Sequence, residues 1–289
     1  MPAPVHVTTE YGTLQRVAMR YAGEFTRPLD GPDVHPVLDR QRATSTWRPF
    51  DPAKVRTQQD LLITLLREHG TEVLLLPDAP GCSTRHYPRD IAFAVDHVLI
   101  AARLNSAHRQ PETHALYDLA ADLPLVVRLD SGTIEGGDVM LHDGSVLVGM
   151  SEESTRDGAT ALQRALHRFQ VDREVIPVYF AGSGIVHLDD HFVIVAPDLA
   201  LIHRDAFPAA QQRFFEKRFD LIDATAAEAR TVQVNVLAIA PGRVVVADGS
   251  DRIAGQLAAR GVEVLSVDYS EVTKIPGSLR CTTLPLNRT

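Results

Sequence analysis

The sequence predicts an α/β fold made of five ββαβ units, and three observations carry that prediction. The first is an internal period: Asp90, Asp138, His187, Asn235 and Cys281 each open a segment, at steps of 48, 49, 48 and 46 residues. The second is a pair of short apolar runs, split by a turn, after each of the first four openings. The third is a helix-like stretch and a further apolar strand before the next opening. Repeats with periods of about 20–50 residues build closed arrays or solenoids. In a ring of five units the openings would gather around a common axis.

Each element has its own signal. Residues 14–21 read as a first strand, and the Pro-rich stretch to Phe50 as a long irregular loop. A helix follows, with Asp51 to cap it, Pro52 at its first position and Gly70 to stop it. Its apolar stripe is Val55, Leu61, Leu62, Leu65 and Leu66, and residues 72–77 form a short buried strand. The second unit has strands at 91–95 and 98–102, a helix near 111–121 and a strand at 125–129. In the third, a His142-Asp143-Gly144 turn splits the apolar runs. Ala159, Leu162, Leu166 and Phe169 then make a helical stripe, and 174–178 a closing strand. The fourth has strands at 192–196 and 199–202 and a helix near 208–219. In the fifth, Pro241-Gly242 turns between 236–240 and 244–247, Ser250 caps a helix to Arg260, Gly261 stops it, and 262–267 is a strand. Residues 281–286 read as a strand that completes the N-terminal unit.

Composition narrows the class. The chain has 289 residues, 45% of them hydrophobic, which supplies one closed domain spanning 1–289 with a full core. Lys and Arg total 29 against 37 Asp and Glu, a net −8, which argues against nucleic acid as a partner. Two cysteines give no disulfide framework and suit a reducing, cytoplasmic setting. No apolar run reaches about 18 residues and no signal-peptide pattern is present, so no membrane partner is expected.

The openings carry reactive residue types. Thr133-Ile-Glu-Gly-Gly-Asp138 supplies the acid Glu135, with two glycines that let it crowd close to something. The ring would bring together Asp90, Glu135, His187, Asp189 and Cys281. His187 and Asp189, two apart on an extended segment, would face one way. A thiolate that attacks, a histidine that moves protons and an acid that fixes charge form a set for covalent catalysis. Several carboxylates call for a cation, and a planar guanidinium fits paired two-pronged acids. His187, Asp189 and His191 alternate in a way that suits a metal, but no further Asp/His cluster supports one. Asn235 reads as a hydrogen-bonding structural residue, and Asp138 as serving the backbone turn. The remaining histidines read as surface residues.

With these residues in view, the chain resembles the guanidino-group-modifying superfamily of arginine deiminases, dimethylarginine dimethylaminohydrolases, agmatine deiminases and glycine amidinotransferases. The resemblance rests on Tyr11-Gly-Thr-Leu-Gln-Arg-Val17, Tyr87-Pro-Arg-Asp90, Ile134-Glu-Gly-Gly-Asp-Val139, His187-Leu-Asp189 and Gly277-Ser-Leu-Arg-Cys-Thr-Thr-Leu-Pro-Leu286, in the family's order over nearly the whole chain. It implies a pseudo-symmetric five-bladed α/β propeller (pentein) that needs no cofactor and reacts through cysteine. It implies Cys281 as nucleophile and His187 as general acid/base. Glu135 would orient His187 or hold the guanidinium, and Asp90 and Asp189 would clamp the guanidinium nitrogens. Members acting on free amino acids commonly have arginine near the position of Glu153. Here that grip on the substrate carboxylate would fall to Arg156 or Arg103. The arginine that deiminases carry shortly before the cysteine has no counterpart, Lys274 and Arg280 being the nearby cations.

The reading is therefore a cofactor-independent hydrolase of a small guanidino compound, nearest in length to the dimethylarginine-hydrolase branch. The enzymatic alternative is amidinotransfer to an amine. The alternative from another class is a non-catalytic five-bladed binding protein, such as the ribosome anti-association factor of the same architecture. Self-association into a homo-oligomer is left open.

Overall fold

The computed structural model describes residues 5–22, 51–79, 82, 84–116 and 126–289. The expected Pro-rich loop, the second half of the expected 111–121 helix and residue 125 lie outside them. The described strands form five small sheets, four with three strands and one with four. One pattern recurs in all five: an antiparallel pair, then a third strand parallel to the second.

In the second unit Ala92–Val95 pairs antiparallel with Val98–Ala101, which pairs parallel with Val126–Arg128. The third repeats this with Val139–His142, Ser145–Gly149 and Glu174–Val178. The fourth uses Phe192–Ala196, Leu199–Ile202 and Asp220–Asp223, and the fifth Leu237–Ala240, Arg243–Ala247 and Glu263–Val267. The remaining sheet joins distant parts of the chain. Leu284–Arg288 lies antiparallel to Leu14–Met19, which pairs parallel with Glu72–Leu75, and His6–Val7 adds a strand beside Leu284–Arg288. The expectation that the segment after Cys281 completes the N-terminal unit holds, with the strand itself starting at Leu284.

The second strand of each hairpin is an apolar run because both its faces are covered, as in parallel sheets generally. Val98–Ala101 and Leu199–Ile202 are buried throughout. Helices supply the outer cover. Pro52–Glu68 starts at Asp51, whose carboxylate accepts from Ala53 N–H, and buries Val55, Gln58, Gln59, Leu62, Ile63 and Leu66. Leu61, expected in the stripe, is 46% exposed, because the buried line steps through positions 55, 58/59, 62 and 66.

Several local expectations are corrected. The element expected near 111–121 begins as a 3-10 turn at Ala107–His114; Pro111, inside it, lacks the N–H an α-helical ladder would use. Ser250 precedes Asp251–Ala258 but makes no side-chain capping bond, its backbone having left the extended region for φ −92, ψ 35. The Glu72–Leu75 strand is only partly buried, Leu75 being 45% exposed at the sheet edge. Leu188–Asp190 folds into a 3-10 turn rather than an extended segment. His187 and Asp189 therefore do not share one strand face. Of the histidines expected at the surface, His86 is buried and His203 is half-buried, 3.1 Å from His191.

The unit openings are hydrogen-bonded to one another in a closed circuit. Arg89 N–H donates to Cys281 O (3.2 Å), and Gly136 N–H to Asp90 O (3.4 Å). Leu188 N–H donates to Asp138 Oδ1 (2.9 Å). Asn235 Nδ2 donates to Asp189 O (3.2 Å), while its Oδ1 accepts from Arg280 N–H (2.9 Å) and Cys281 N–H (3.2 Å). Asp138 and Asn235 thus serve backbone as expected, but across units rather than within a turn.

Arg288 ties this frame to the remaining sheet. Buried beside Glu10, it donates to the carbonyls of Glu10 (2.7 Å), Gly12 (3.2 Å) and Ala238 (2.8 Å). Arg288→Met should lower unfolding free energy by about 2–3 kcal/mol, since three buried acceptors lose a charged donor. Urea denaturation should show an earlier midpoint at unchanged slope; an unshifted midpoint would refute the role.

Candidate active site

The site is assembled from four of the openings. Glu135 leads into Gly136-Gly137, and both glycines are required by close approach. A Cβ on Gly136 would lie 2.1 Å from Arg89 O, and one on Gly137 would lie 2.6 Å from the His187 ring. Absence of side chains there brings the Glu135 segment against both its neighbours. His187 Nε2 sits 3.0 Å from Glu135 Oε2, and its Nδ1 lies 3.7 Å from Asp90 Oδ1. Asp138 underpins this arrangement. Its Oδ2 accepts from Ser151 and Ser154 hydroxyls (2.6 Å each), and Ser154 Oγ in turn accepts from Glu135 N–H (3.1 Å).

The Cys281 sulfur accepts from Asn235 Nδ2 at 3.1 Å and lies 4.0 Å from Asp189 Oδ1. Asp189 is held from behind by Arg280 Nε at 3.2 Å, and Arg280 also pairs with Glu10 and donates to Val139 O. A small cavity opens onto the sulfur, bounded by Asp90, Arg109, His187, Asp190 and Cys281, with Tyr87 and Ile275 on its apolar side.

Comparison with known proteins finds relatives along nearly the whole chain. The pattern of the family described as N,N dimethylarginine dimethylhydrolase, eukaryotic, matches residues 42–288. The chain belongs to this family of guanidino-group hydrolases. An uncharacterised relative, YkgA of Bacillus subtilis, is 31% identical over 295 residues, covering 100% of this chain and 98% of its own. An arginine deiminase of Mycobacterium marinum is 26% identical over 308 residues, covering 95% of this chain and 76% of its own. Among solved structures, the amidinotransferase SxtG of Microseira wollei superposes with a TM-score of 0.80 at 16% identity, over 99% of this chain and 98% of that one. That likeness shows a shared α/β fold of small sheets.

For a guanidino-group hydrolase the electrostatics are informative. Burial disfavours a charged imidazole, but the charge of Asp90, the hydrogen bond to Glu135 and the charge of Asp138 outweigh it. His187 is held well above the ordinary histidine value and is protonated at neutral pH. Without a bound cation, the nearby Arg280 and His187 do not suffice to favour the thiolate. Burial, then the charges of Asp189, Asp190 and Asp90, push the Cys281 thiol well above its usual range. Arg280 spends its charge on Glu10 and Asp189 instead. Burial also raises Asp189 and Asp190, and Asp138 rises to about 7. More negative charge is gathered here than the resident cations hold comfortably.

The structure brings Asp90, Glu135, His187, Asp189 and Cys281 together, but not the two arginines expected at the substrate tail. Arg156 is exposed and donates to Tyr179 OH (2.6 Å), while exposed Arg103 borders a different cavity. Neither lines the Cys281 cavity. Arg109 and Asp190, both on its wall, were missed. Arg109 stands 19 residues after Asp90 and three before Glu112, with only the Arg-x-x-Glu spacing to hint at a pair. Two sets of potential metal ligands, Asp90/Glu135/His187 and Asp189/Asp190/Cys281, each have their atoms within 4.8 Å. Asp90, Glu135 and Asp189 of these sets are already paired with Arg109, His187 and Arg280 respectively.

Two outcomes are expected. In ligand-free protein, iodoacetamide should label Cys281 slowly at pH 7.5 and faster as pH rises, with no plateau below pH 9. Rapid labelling at neutral pH, read by peptide mass, would contradict the raised thiol. Gly137→Ala should push the His187 ring aside and cut kcat on the order of 100-fold with little change in melting temperature. An unaffected kcat would show that the contact is slack.

Proposed function

We propose that the protein is a cysteine-dependent hydrolase of a small guanidino compound, acting through a thiouronium on Cys281 and yielding a ureido product. One observation carries the reading. A single cavity is lined by the sulfur, by Asp90 with a buried oxygen that lacks a hydrogen bond, and by a histidine already hydrogen-bonded to Glu135. Guanidinium is the cation whose planar N–H array matches acids placed on either side of a nucleophile. Membership of the family supports the same class.

The chemistry follows from the charges. Entry of the cationic substrate offsets the acids that suppress the thiolate, and the thiol proton leaves to solvent. The thiolate attacks the guanidinium carbon, forming a C–S bond and a neutral tetrahedral adduct held by Asp90 and Asp189. Imidazolium His187 gives its proton to the departing nitrogen, the C–N bond breaks, and ammonia or an amine leaves a thiouronium. Neutral His187 then takes a proton from water as the oxygen adds. Collapse of that adduct breaks the C–S bond, restores the thiolate and releases the ureido product, whose surplus proton goes to solvent. Glu135 keeps His187 oriented through both steps.

In this reading the five sheets form the blades of one α/β propeller comprising a single catalytic domain, and the circuit of unit openings lines its axis. Water, rather than an amine, completes the reaction; product formed only on adding an acceptor amine would favour amidinotransfer instead.

Cys281→Ser should reduce turnover on the order of 1,000-fold or more while keeping the fold. Wild-type protein quenched during turnover should carry added mass on the Cys281 peptide; full activity in the serine variant would end the proposal. Asp90 and Asp189 also predict a preference for unmethylated guanidinium nitrogens, because a methyl removes a donor and strands a buried carboxylate. The preference should be about 10- to 100-fold in kcat/KM and should narrow in Asp189→Ala. Faster turnover of asymmetric dimethylarginine than of its unmethylated counterpart would contradict it.

A further inference from the structure

Every unpaired buried side-chain atom on the wall of the Cys281 cavity is an acceptor: Asp90 Oδ1 and Asp190 Oδ1. Asp90 is only 2% exposed, so its Oδ1, 3.7 Å from His187 Nδ1 but with no hydrogen bond of its own, has no access to bulk water. The sole guanidinium among the described wall residues, Arg109, has no donor to spare. Its Nε and Nη2 fork grips Glu112 Oε1 and Oε2 at 3.1 and 2.8 Å. Its Nη1 reaches Asp90 Oδ2 at 2.8 Å and Glu135 Oε2 at 3.5 Å, and Nη2 also faces Tyr87 O at 3.5 Å. Those contacts use all five N–H groups an arginine possesses. A fork of this shape is the usual receptor for a ligand carboxylate. Here the protein's own carboxylate fills it, fully buried and held in turn by the Thr84 hydroxyl at 3.2 Å.

We infer that Glu112, by occupying the Arg109 fork, sets the substrate class: a guanidine whose remaining chain is neutral or carries an ammonium, not a carboxylate. This rests on the reading of the site as a guanidino hydrolase and adds the nature of the tail. Asp190 works in the same direction. A carboxyl oxygen of Asp190 lies within 4.8 Å of the Cys281 sulfur and of an Asp189 oxygen, so the wall beside the reacting carbon offers acceptors to N–H groups and no donor fork to a carboxylate. A carboxylate entering such a site would meet Asp90, Asp189 and Asp190 and, among the described wall residues, no arginine or lysine with a donor to spare.

The test uses three guanidines of one chain length: butylguanidine, 4-aminobutylguanidine and 4-guanidinobutyrate. Each is assayed for kcat/KM and for protection of Cys281 against iodoacetamide, which reports binding without turnover. Wild type should favour the neutral and ammonium compounds over the carboxylate by about 10-fold or more in both measures. Glu112→Gln, which frees part of the fork, and Asp190→Asn, which puts an N–H donor on the wall, should each narrow that ratio to within about threefold. Simple structural damage would depress all three compounds together and leave the ratio where it was. Thermal melts confirm folding, and Asp190→Asn stands alone if Glu112→Gln does not fold. Preference of the wild type for 4-guanidinobutyrate, or an unchanged ratio in the folded variants, overturns the inference while leaving the hydrolase reading intact. If no compound is turned over, forms an adduct or protects Cys281, the hydrolase reading falls and the inference with it.

Discussion

The molecule depends on a circuit of hydrogen bonds between segments that are far apart in sequence. Arg89 to Cys281, Gly136 to Asp90, Leu188 to Asp138, and Asn235 to both Asp189 and Cys281 together close a loop through all five unit openings. Backbone groups buried at this depth must find partners or cost about 1–3 kcal/mol each. Each sheet ends where its neighbour can supply one. Side chains at the openings therefore have little freedom to point elsewhere, and the acids, the imidazole and the thiol are forced into one small volume.

That enforced crowding explains the electrostatics. At about 4 Å and an effective dielectric near 20, two like charges repel by roughly 4 kcal/mol. A thiolate 4.0 Å from Asp189 is therefore poorly tolerated while the site lacks a cation. Arg280, Arg109 and imidazolium His187 each offset particular acids, yet Asp90 and Asp190 keep an unpaired oxygen. A site left short of positive charge favours a cationic occupant, and such an occupant would also lessen the repulsion that keeps the Cys281 sulfur protonated.

Much of this was legible in the sequence because it is periodic. The openings at 90, 138, 187, 235 and 281 are spaced by complete ββαβ units, and apolar hairpin runs such as 192–196 and 199–202 fall where the strands are. Glu135-Gly-Gly could be read as an acid with room to crowd its neighbours, although not that Gly137 gives way to His187. Arg109 and Asp190 were not legible. Arg109 sits on a 3-10 turn between regular elements, where no period marks it, and Asp190 enters the cavity only because Leu188–Asp190 curls instead of extending. Arg156 has suitable chemistry at the wrong address, since it stacks by Tyr179 on the surface. Periodicity locates elements; it says nothing about which way an irregular turn aims a side chain.

The pairing of Leu284–Arg288 with Leu14–Met19 also governs when the thiol becomes dangerous or useful. Cys281 precedes that strand by three residues, and the pairing spans some 270 residues of intervening chain. Contacts of such long range form late, after local hairpins and their helices have condensed. Until then Cys281 has neither Asn235 at its sulfur nor acids around it, and it is an ordinary free thiol. Sheet closure and the burial of the thiol beside Asn235 and Asp189 are thus parts of one folding event, and the folded protein holds that sulfur as a thiol among its acids.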